Sequence, residues 1–203
     1  MKPIQVGLLG IGTVGSGVFN VLQRNQEEIR RRAGRGIEIA CVADLDTARA
    51  RSIVGEGTRV VGVALEVTAT TEIDIVIELI GGYGIAKQLV LEAIAAGKHV
   101  VTANKALLAV HGTEIFKAAA DKGVVVAYEA AVAGGIPIIK ALREGLSANQ
   151  IQWVAGIING TTNFILSEMR DKGLSFDDVL KEAQRLGYAE ADPTFDIEGV
   201  DAA

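Results

Sequence analysis

Cysteine is nearly absent from this chain: Cys41 is the only one among 203 residues. One thiol cannot form an internal disulfide, so a core must hold the fold, and a reducing, cytoplasmic setting is expected. Cys41 lies in the apolar run IEIACVAD, where a buried structural thiol is expected rather than a reactive one. Histidine is almost as scarce, and neither His99 nor His111 has a Cys or His set nearby, so no transition-metal site is assigned. Aromatics make up only 4% of the residues, and the single tryptophan, Trp153, reads most simply as core. No 18-residue apolar stretch lacks charge, so nothing is expected to span a membrane. A basic excess is also missing. The net charge of −5 argues against binding nucleic acid or an anionic membrane through bulk electrostatics. The start, MKPIQVGLLG, turns glycine-rich before a signal-peptide core forms, so no signal peptide is expected. No internal repeat or low-complexity linker is found.

What is present is aliphatic. The chain is 49% hydrophobic, mostly Ala, Val, Ile and Leu, with 24 glycines. That balance suits strands buried on both faces and alternating with helices. Strands are expected at 4–9, 37–43, 59–63, 74–79, 99–102 and 124–128. Helices are expected at 14–31, 47–53, 85–96 and 112–121. Alternation at this spacing predicts βαβ units and a parallel sheet. After Pro137 the texture changes: residues 138–146 read as helix, 151–158 as strand, and 163–171 and 176–186 as helices. Ser175 followed by Asp178 is close to a capping box. One strand and three helices cannot close a sheet of their own. The expectation is therefore an α/β, doubly wound, Rossmann-type domain at 1–135, then an incomplete α+β domain at 136–203.

The run IQVGLLGIGTVGSGV carries Gly10-x-Gly12-x-x-Gly15 directly between an apolar strand and a long helix, the context in which this spacing is informative. Gly10 permits the tight turn, Gly12 lets the backbone approach a pyrophosphate, and Gly15 lets helix pack close to strand. The helix N-terminus offers N–H groups to the phosphates. Asp44, at the end of the next strand, either accepts hydrogen bonds from the adenosine ribose or caps the following turn. No arginine stands at Ala43 or Leu45, although Arg49 and Arg51 lie nearby, so NAD is favoured over NADP.

Three further segments fall at strand ends, where a wound sheet binds its ligands: ELIGGYG, TANKALL and EAAVAGGIP. In the second, Lys105 is either a solvated loop lysine or a group pointing into the crevice. In the third, Glu129 and exposed carbonyls either hold a hard cation or form a hinge. INGTTNFIL by itself says only cap and turn. The chain's end, GYAEADPTFDIEGVDAA, crowds in Glu190, Asp192, Asp196, Glu198 and Asp201, with no Lys or Arg after Arg185.

Taken in order, GLLGIGTVGSG, VVTANKALL, EAAVAGGIPII, INGTTNFIL and GYAEADPTFDIEGVDAA resemble homoserine dehydrogenase, and the last three motifs are not general to Rossmann proteins. The resemblance implies NAD(P)-dependent interconversion of L-homoserine and L-aspartate 4-semialdehyde, in the route to threonine and methionine. It implies a cofactor site at Gly10, Gly12, Thr13, Val14, Gly15, Asp44, Thr102 and Lys105. Lys105 would also be catalytic, with Asp201. Glu190, Asp196, Gly187 and Tyr188 would bind the substrate, with Glu190 on its amino group. A sodium ion would be held by Glu129 and backbone oxygens of Val132, Gly134 and Ile136. A homodimer or homotetramer is implied for the full-length parent. Many members carry arginine where this chain has Ala43, which again favours NAD. The family's last motif continues to a lysine two positions beyond Ala203, so the expectation is a fragment that binds cofactor with little turnover. An NAD-binding regulatory module, or another Rossmann enzyme such as aspartate dehydrogenase, is the alternative.

Overall fold

The structure is a computed structural model, which describes residues 2–189 and 192–202. The chain divides into two compact units, Met1–Ser147 and Ala148–Ala203.

The first unit is built on six parallel strands: β1 (Ile4–Leu9), β2 (Ile37–Ala43), β3 (Arg59–Val61), β4 (Ile75–Glu78), β5 (His99–Thr102) and β6 (Val126–Ala127). Their order is β3-β2-β1-β4-β5-β6, the doubly wound Rossmann order, which reverses between β1 and β4. Alternate residues of each strand feed opposite faces. Val6, Leu8 and Val42 join Phe19 and Ala50 on one side, whereas Leu9, Cys41 and Val76 join Leu89, Leu107 and Ile115 on the other. Burial pushes the Cys41 thiol pKa up, which suits an inert core residue.

Six helices and a helical turn cross between or follow the strands: α1 (Thr13–Arg24), α2 (Gln26–Ala33), α3 (Thr47–Val54), α4 (Leu65–Ala69), α5 (Gly84–Ala95), α6 (Lys105–Lys122) and α7 (Ile138–Lys140). A π-helical stretch, Ala141–Gly145, continues α7. The single helix expected at 14–31 is broken at Asn25, whose φ of −104° and ψ of 19° end α1 and begin α2. α2 then has its own charge logic: Glu27 and Glu28 in its first turn, Arg30 to Arg32 in its last, and left-handed Gly34 closing it. Arg31 and Arg32 hold the Glu28 carboxyl below the ordinary range. α4 was not legible from a five-residue pattern. α6 begins seven residues before the expected 112, because Asn104 accepts the Leu107 N–H as an N-cap.

The second unit contains α8 (Gly160–Lys172), α9 (Phe176–Leu186) and α10 (Thr194–Ile197). Ser175 caps α9 and also donates to Asp178, as the capping pattern predicts. Ile165, Val179, Ala183 and Ala189 form its small core with Phe164, Met169 and Leu180. The strand expected at 151–158 is not formed, and Trp153, expected in the core, is 79% exposed. The reason is partnership: a strand needs a neighbour for its backbone groups, and the described residues of this unit supply none. The α+β character expected at 136–203 is accordingly not seen there.

Lys98 ties the turn before β4 from inside. Only 4% exposed, it donates from Nζ to the carbonyls of Thr70 (2.7 Å) and Ile73 (2.9 Å). Burial lowers its pKa, outweighing the opposite pull of Asp74 and Glu72. Lys98→Met should cost about 1–3 kcal/mol, since two buried carbonyls lose a donor. The folded pKa lies below the unfolded one, so the unfolded chain binds more protons and parental stability rises with pH between the two values. Denaturant titrations should show the gap between parent and variant widening as pH climbs through that window. A constant gap would assign the loss to packing alone.

Candidate functional site

The glycine loop is shaped by what cannot fit. Gly10 has φ +92°, and a β-carbon there would lie 2.8 Å from the Leu79 carbonyl oxygen. A β-carbon on Gly15 would lie 2.1 Å from the Gly10 carbonyl oxygen. Gly12 is different: a β-carbon there meets nothing within 4 Å. Two glycines thus let backbone press on backbone, and the third leaves open space in front of α1. Gly12 is also the N-cap of α1 and gives it no side-chain cap, so the N–H groups at Thr13 and Val14 face no capping side chain. This geometry fits a pyrophosphate.

Beside the loop lies a cavity of about 530 Å³, lined by Gly10, Gly12, Ala43, Asp44, Leu45, Val63, Leu65, Ile80 and Ile85 among others. Its walls are largely apolar, and Leu45 (96%) and Val63 (53%) stand exposed, as suits a slot for a flat ring. Asp44 does two jobs in this wall. Its Oδ2 accepts the Ile11 N–H at 2.8 Å and its Oδ1 accepts the Asp46 N–H at 2.9 Å. The turn-capping reading therefore holds, and the same carboxylate fastens the glycine loop to the end of β2.

Across the switch point, the ends of β4 and β5 carry a network that sequence reasoning missed. Glu78 is fully buried, yet its carboxylate has three donors: the N–H groups of Ile80 (2.9 Å) and Gly81 (3.3 Å), and the Thr102 hydroxyl (2.7 Å). Thr102 Oγ1 in turn accepts the Asn104 N–H at 3.0 Å. Asn104 Nδ2 donates to the Gly82 carbonyl at 2.5 Å. Thr102 is 1% exposed, so its side chain meets Glu78 and Asn104 rather than the crevice. The signal was available: a carboxylate ending the apolar run IDIVIE has to find donors. Lys105 is not on a loop but is the exposed first residue of α6. A cation at the positive end of a helix dipole is locally unfavourable by about 0.3–1 kcal/mol.

Farther along, Glu129 caps α7 with both oxygens, accepting the Ile139 and Lys140 N–H groups at 2.9 Å each. The loop between has a run of left-handed residues, Ala133, Gly134 and Gly135, with Ala133 the non-glycine exception among the described residues. The Ile136 carbonyl accepts the Ile138 N–H at 2.7 Å. No cluster of three or more His, Cys, Asp or Glu stands ready for a metal among the described residues.

In the second unit, Asn159 is more than a cap. Its Oδ1 accepts the Thr162 N–H (2.7 Å) while Nδ2 donates to Asp196 Oδ1 (2.7 Å) and Asp201 Oδ2 (3.1 Å). Thr161 donates to the Tyr188 carbonyl at 2.6 Å, and Thr162 to the Asp196 carbonyl at 3.3 Å. INGTTN thereby organises the acidic segment and brings Asp196 and Asp201 together. Gly187, with φ +77°, closes α9, and Tyr188 packs edge-on against Phe164 at 5.0 Å. Glu190 lies outside the described residues.

Two glycine variants separate folding from ligand binding. Gly12→Ala should melt like the parent but bind NADH roughly tenfold more weakly, the loss of one good contact to a charged group. Gly15→Ala should instead lose about 1–3 kcal/mol of stability through the backbone clash. Unchanged NADH affinity in Gly12→Ala, read by fluorescence titration, would remove the loop from the cofactor site.

Comparison with known proteins agrees with this geometry. The family profile described as "Homoserine dehydrogenase, NAD binding domain" matches residues 10–129, and that described as "Homoserine dehydrogenase" matches residues 137–203. Homoserine dehydrogenase of Pseudomonas aeruginosa is 66% identical, over 100% of this chain and 46% of its own length. The crystal structure of a homoserine dehydrogenase from Thiobacillus denitrificans superposes with a TM-score of 0.89 at 67% identity, over 100% of this chain and 47% of that one. A hyperthermophilic archaeal homoserine dehydrogenase in complex with NADPH superposes at 0.79 with 25% identity, over 99% of this chain and 66% of that one. The chain thus spans about half the length of the curated relatives it matches. It belongs to the homoserine dehydrogenase family, and its Rossmann unit is that family's nicotinamide-cofactor-binding domain.

Proposed function

We propose that a protein of the relatives' length containing these residues interconverts L-homoserine and L-aspartate 4-semialdehyde, serving threonine and methionine synthesis in the cytoplasm as a homodimer or homotetramer. Residues 1–135 would be its cofactor domain and 136–203 the beginning of its substrate domain. The observation that carries this reading is the match of two homoserine dehydrogenase profiles, in order, to a chain whose glycine loop lies at the sheet's switch point.

A bound nicotinamide supplies or takes up the hydride. The residues do the rest. Gly10, Gly12 and Gly15 shape the turn, and the N–H groups at Thr13 and Val14 face the pyrophosphate. Reduction of an aldehyde leaves negative charge growing on oxygen, which needs a cation or proton donor. Lys105 supplies that charge, and the N-terminus of α6 adds its own partial positive charge. Glu190 holds the ammonium of the amino-acid substrate and Asp196 lines the same pocket, Asp201 stands with Lys105 among the catalytic groups, and Gly187 and Tyr188 shape the approach. Asp44 favours NAD(H), because a 2′-phosphate would meet a carboxylate where no adjacent arginine stands. The NADPH bound by the archaeal relative makes this preference the finer point to test. For a sodium ion, the donor chemistry of Glu129, Val132, Gly134 and Ile136 fits: one carboxylate and three carbonyls are hard oxygen ligands.

Homoserine-dependent NAD reduction by the full-length protein tests the reading. Lys105→Ala should lower kcat by about 10²–10⁴ while the chain still binds NADH. Parental turnover in that variant would exclude Lys105 from the chemistry. The same assay run with NADP should give the lower kcat/KM, and equal or better use of NADP would reduce Asp44 to a turn cap. Activity indifferent to replacing sodium with a bulky organic cation would count against the ion.

A further inference from the structure

Glu78, Thr102 and Asn104 form a chain of hydrogen bonds that no step of the proposed chemistry uses. Buried polar groups are costly unless each is satisfied, and here each contact links a different segment. Glu78 ends β4 and holds the N–H groups of Ile80 and Gly81. Thr102 ends β5 and donates its hydroxyl hydrogen bond to Glu78. Asn104 accepts from Leu107 to start α6, and its remaining amide hydrogen-bonds Gly82. Gly81 and Gly82 have φ of +81° and +67°, so the loop they form has little conformational preference of its own. Its shape is set by these partners.

The position of this loop gives the network a task. In the order β3-β2-β1-β4-β5-β6 each half of the sheet receives one mononucleotide. Asp44, Leu45 and Val63 wall the cavity from the ends of β2 and β3, and Ile80 and Ile85 wall it from the β4 side, so the adenosine half falls over β1 to β3 and the nicotinamide half over β4 and β5. Resting on the cofactor reading above, we propose that Asn104, backed by the Thr102–Glu78 pair, is a positioning residue: it fastens the Gly81–Gly82 loop to the helix that starts with Lys105, and so shapes the nicotinamide half of the crevice.

ADP-ribose contains the adenosine half and the pyrophosphate but no nicotinamide, so it divides the crevice. In Asn104→Ser the short hydroxyl can still cap α6 but falls short of Gly82. It should bind NADH roughly threefold to tenfold more weakly, the worth of one net hydrogen bond, with ADP-ribose affinity unchanged. Thr102→Val should share that selective defect, and Thr102→Ser, which keeps the hydroxyl, should restore parental binding. Both ligands are titrated on the 203-residue chain, so homoserine turnover does not enter. Equal weakening of both ligands, or parental NADH affinity in both Asn104→Ser and Thr102→Val, would overturn the tether. Failure of the parent to bind either ligand would overturn the cofactor reading and the tether with it.

Discussion

Backbone packed on backbone at the turn leaving β1 is the constraint from which the first unit follows. Gly10 donates its N–H to Ala43 at the end of β2 (2.9 Å), while Leu79 at the end of β4 donates to Leu9 (2.8 Å). The turn sits where three strands meet and has no room for a side chain. Any β-carbon at Gly10 or Gly15 would meet a carbonyl oxygen inside van der Waals distance. This packing fixes where α1 starts. Asp46, Asn104, Asn159 and Ser175 cap α3, α6, α8 and α9 with side chains, whereas α1, like α2, α4 and α5, has no side-chain cap. At α1 the cap position is held by Gly12, which has no side chain to cap the helix.

A dry core alone would leave the strand ends loose, since short parallel strands here contribute as few as two paired residues, as β6 does. Charged and polar side chains do the fastening. Asp44 pins the glycine loop, Lys98 pins the entry to β4, and Glu78 pins its exit. Every buried side-chain polar atom among the described residues has a partner. A carboxylate or ammonium placed inside is therefore a local lock, strong because leaving it unpaired is so costly.

Most of this fold was legible because period and punctuation both act locally. Ile4–Leu9 and His99–Thr102 read as strands from mostly apolar runs between turn residues, and Ser175 acts as a cap within three residues. Three failures share a different cause. The split at Asn25 depends on how α2 packs on β2, where Gln26 donates to the Ile37 carbonyl. The missing strand at 151–158 depends on partners that propensity cannot supply. The roles of Glu78 and Asn159 depend on contacts 24 and 37 residues away in sequence. At the site, the glycines and Asp44 were readable because their work is done by backbone geometry next door. The glycines Gly81 and Gly82 were visible too, but the groups that hold them were not.

The second unit poses the opposite electrostatic problem. Asp196 and Asp201 stand close enough to share one amide, and two carboxylates at that range repel. A lysine or arginine between them would bring them together but would also neutralise them. Asn159 instead offers two neutral N–H donors and carries no charge of its own. Its third group, the carbonyl, is spent on the Thr162 N–H, which locks the amide's orientation: turned over, it would present a donor to a donor and an acceptor to a carboxylate. The two acids are thus positioned in part by a group that carries no charge of its own. The helix cap and the acid clamp are therefore one residue because one amide, correctly oriented, satisfies both.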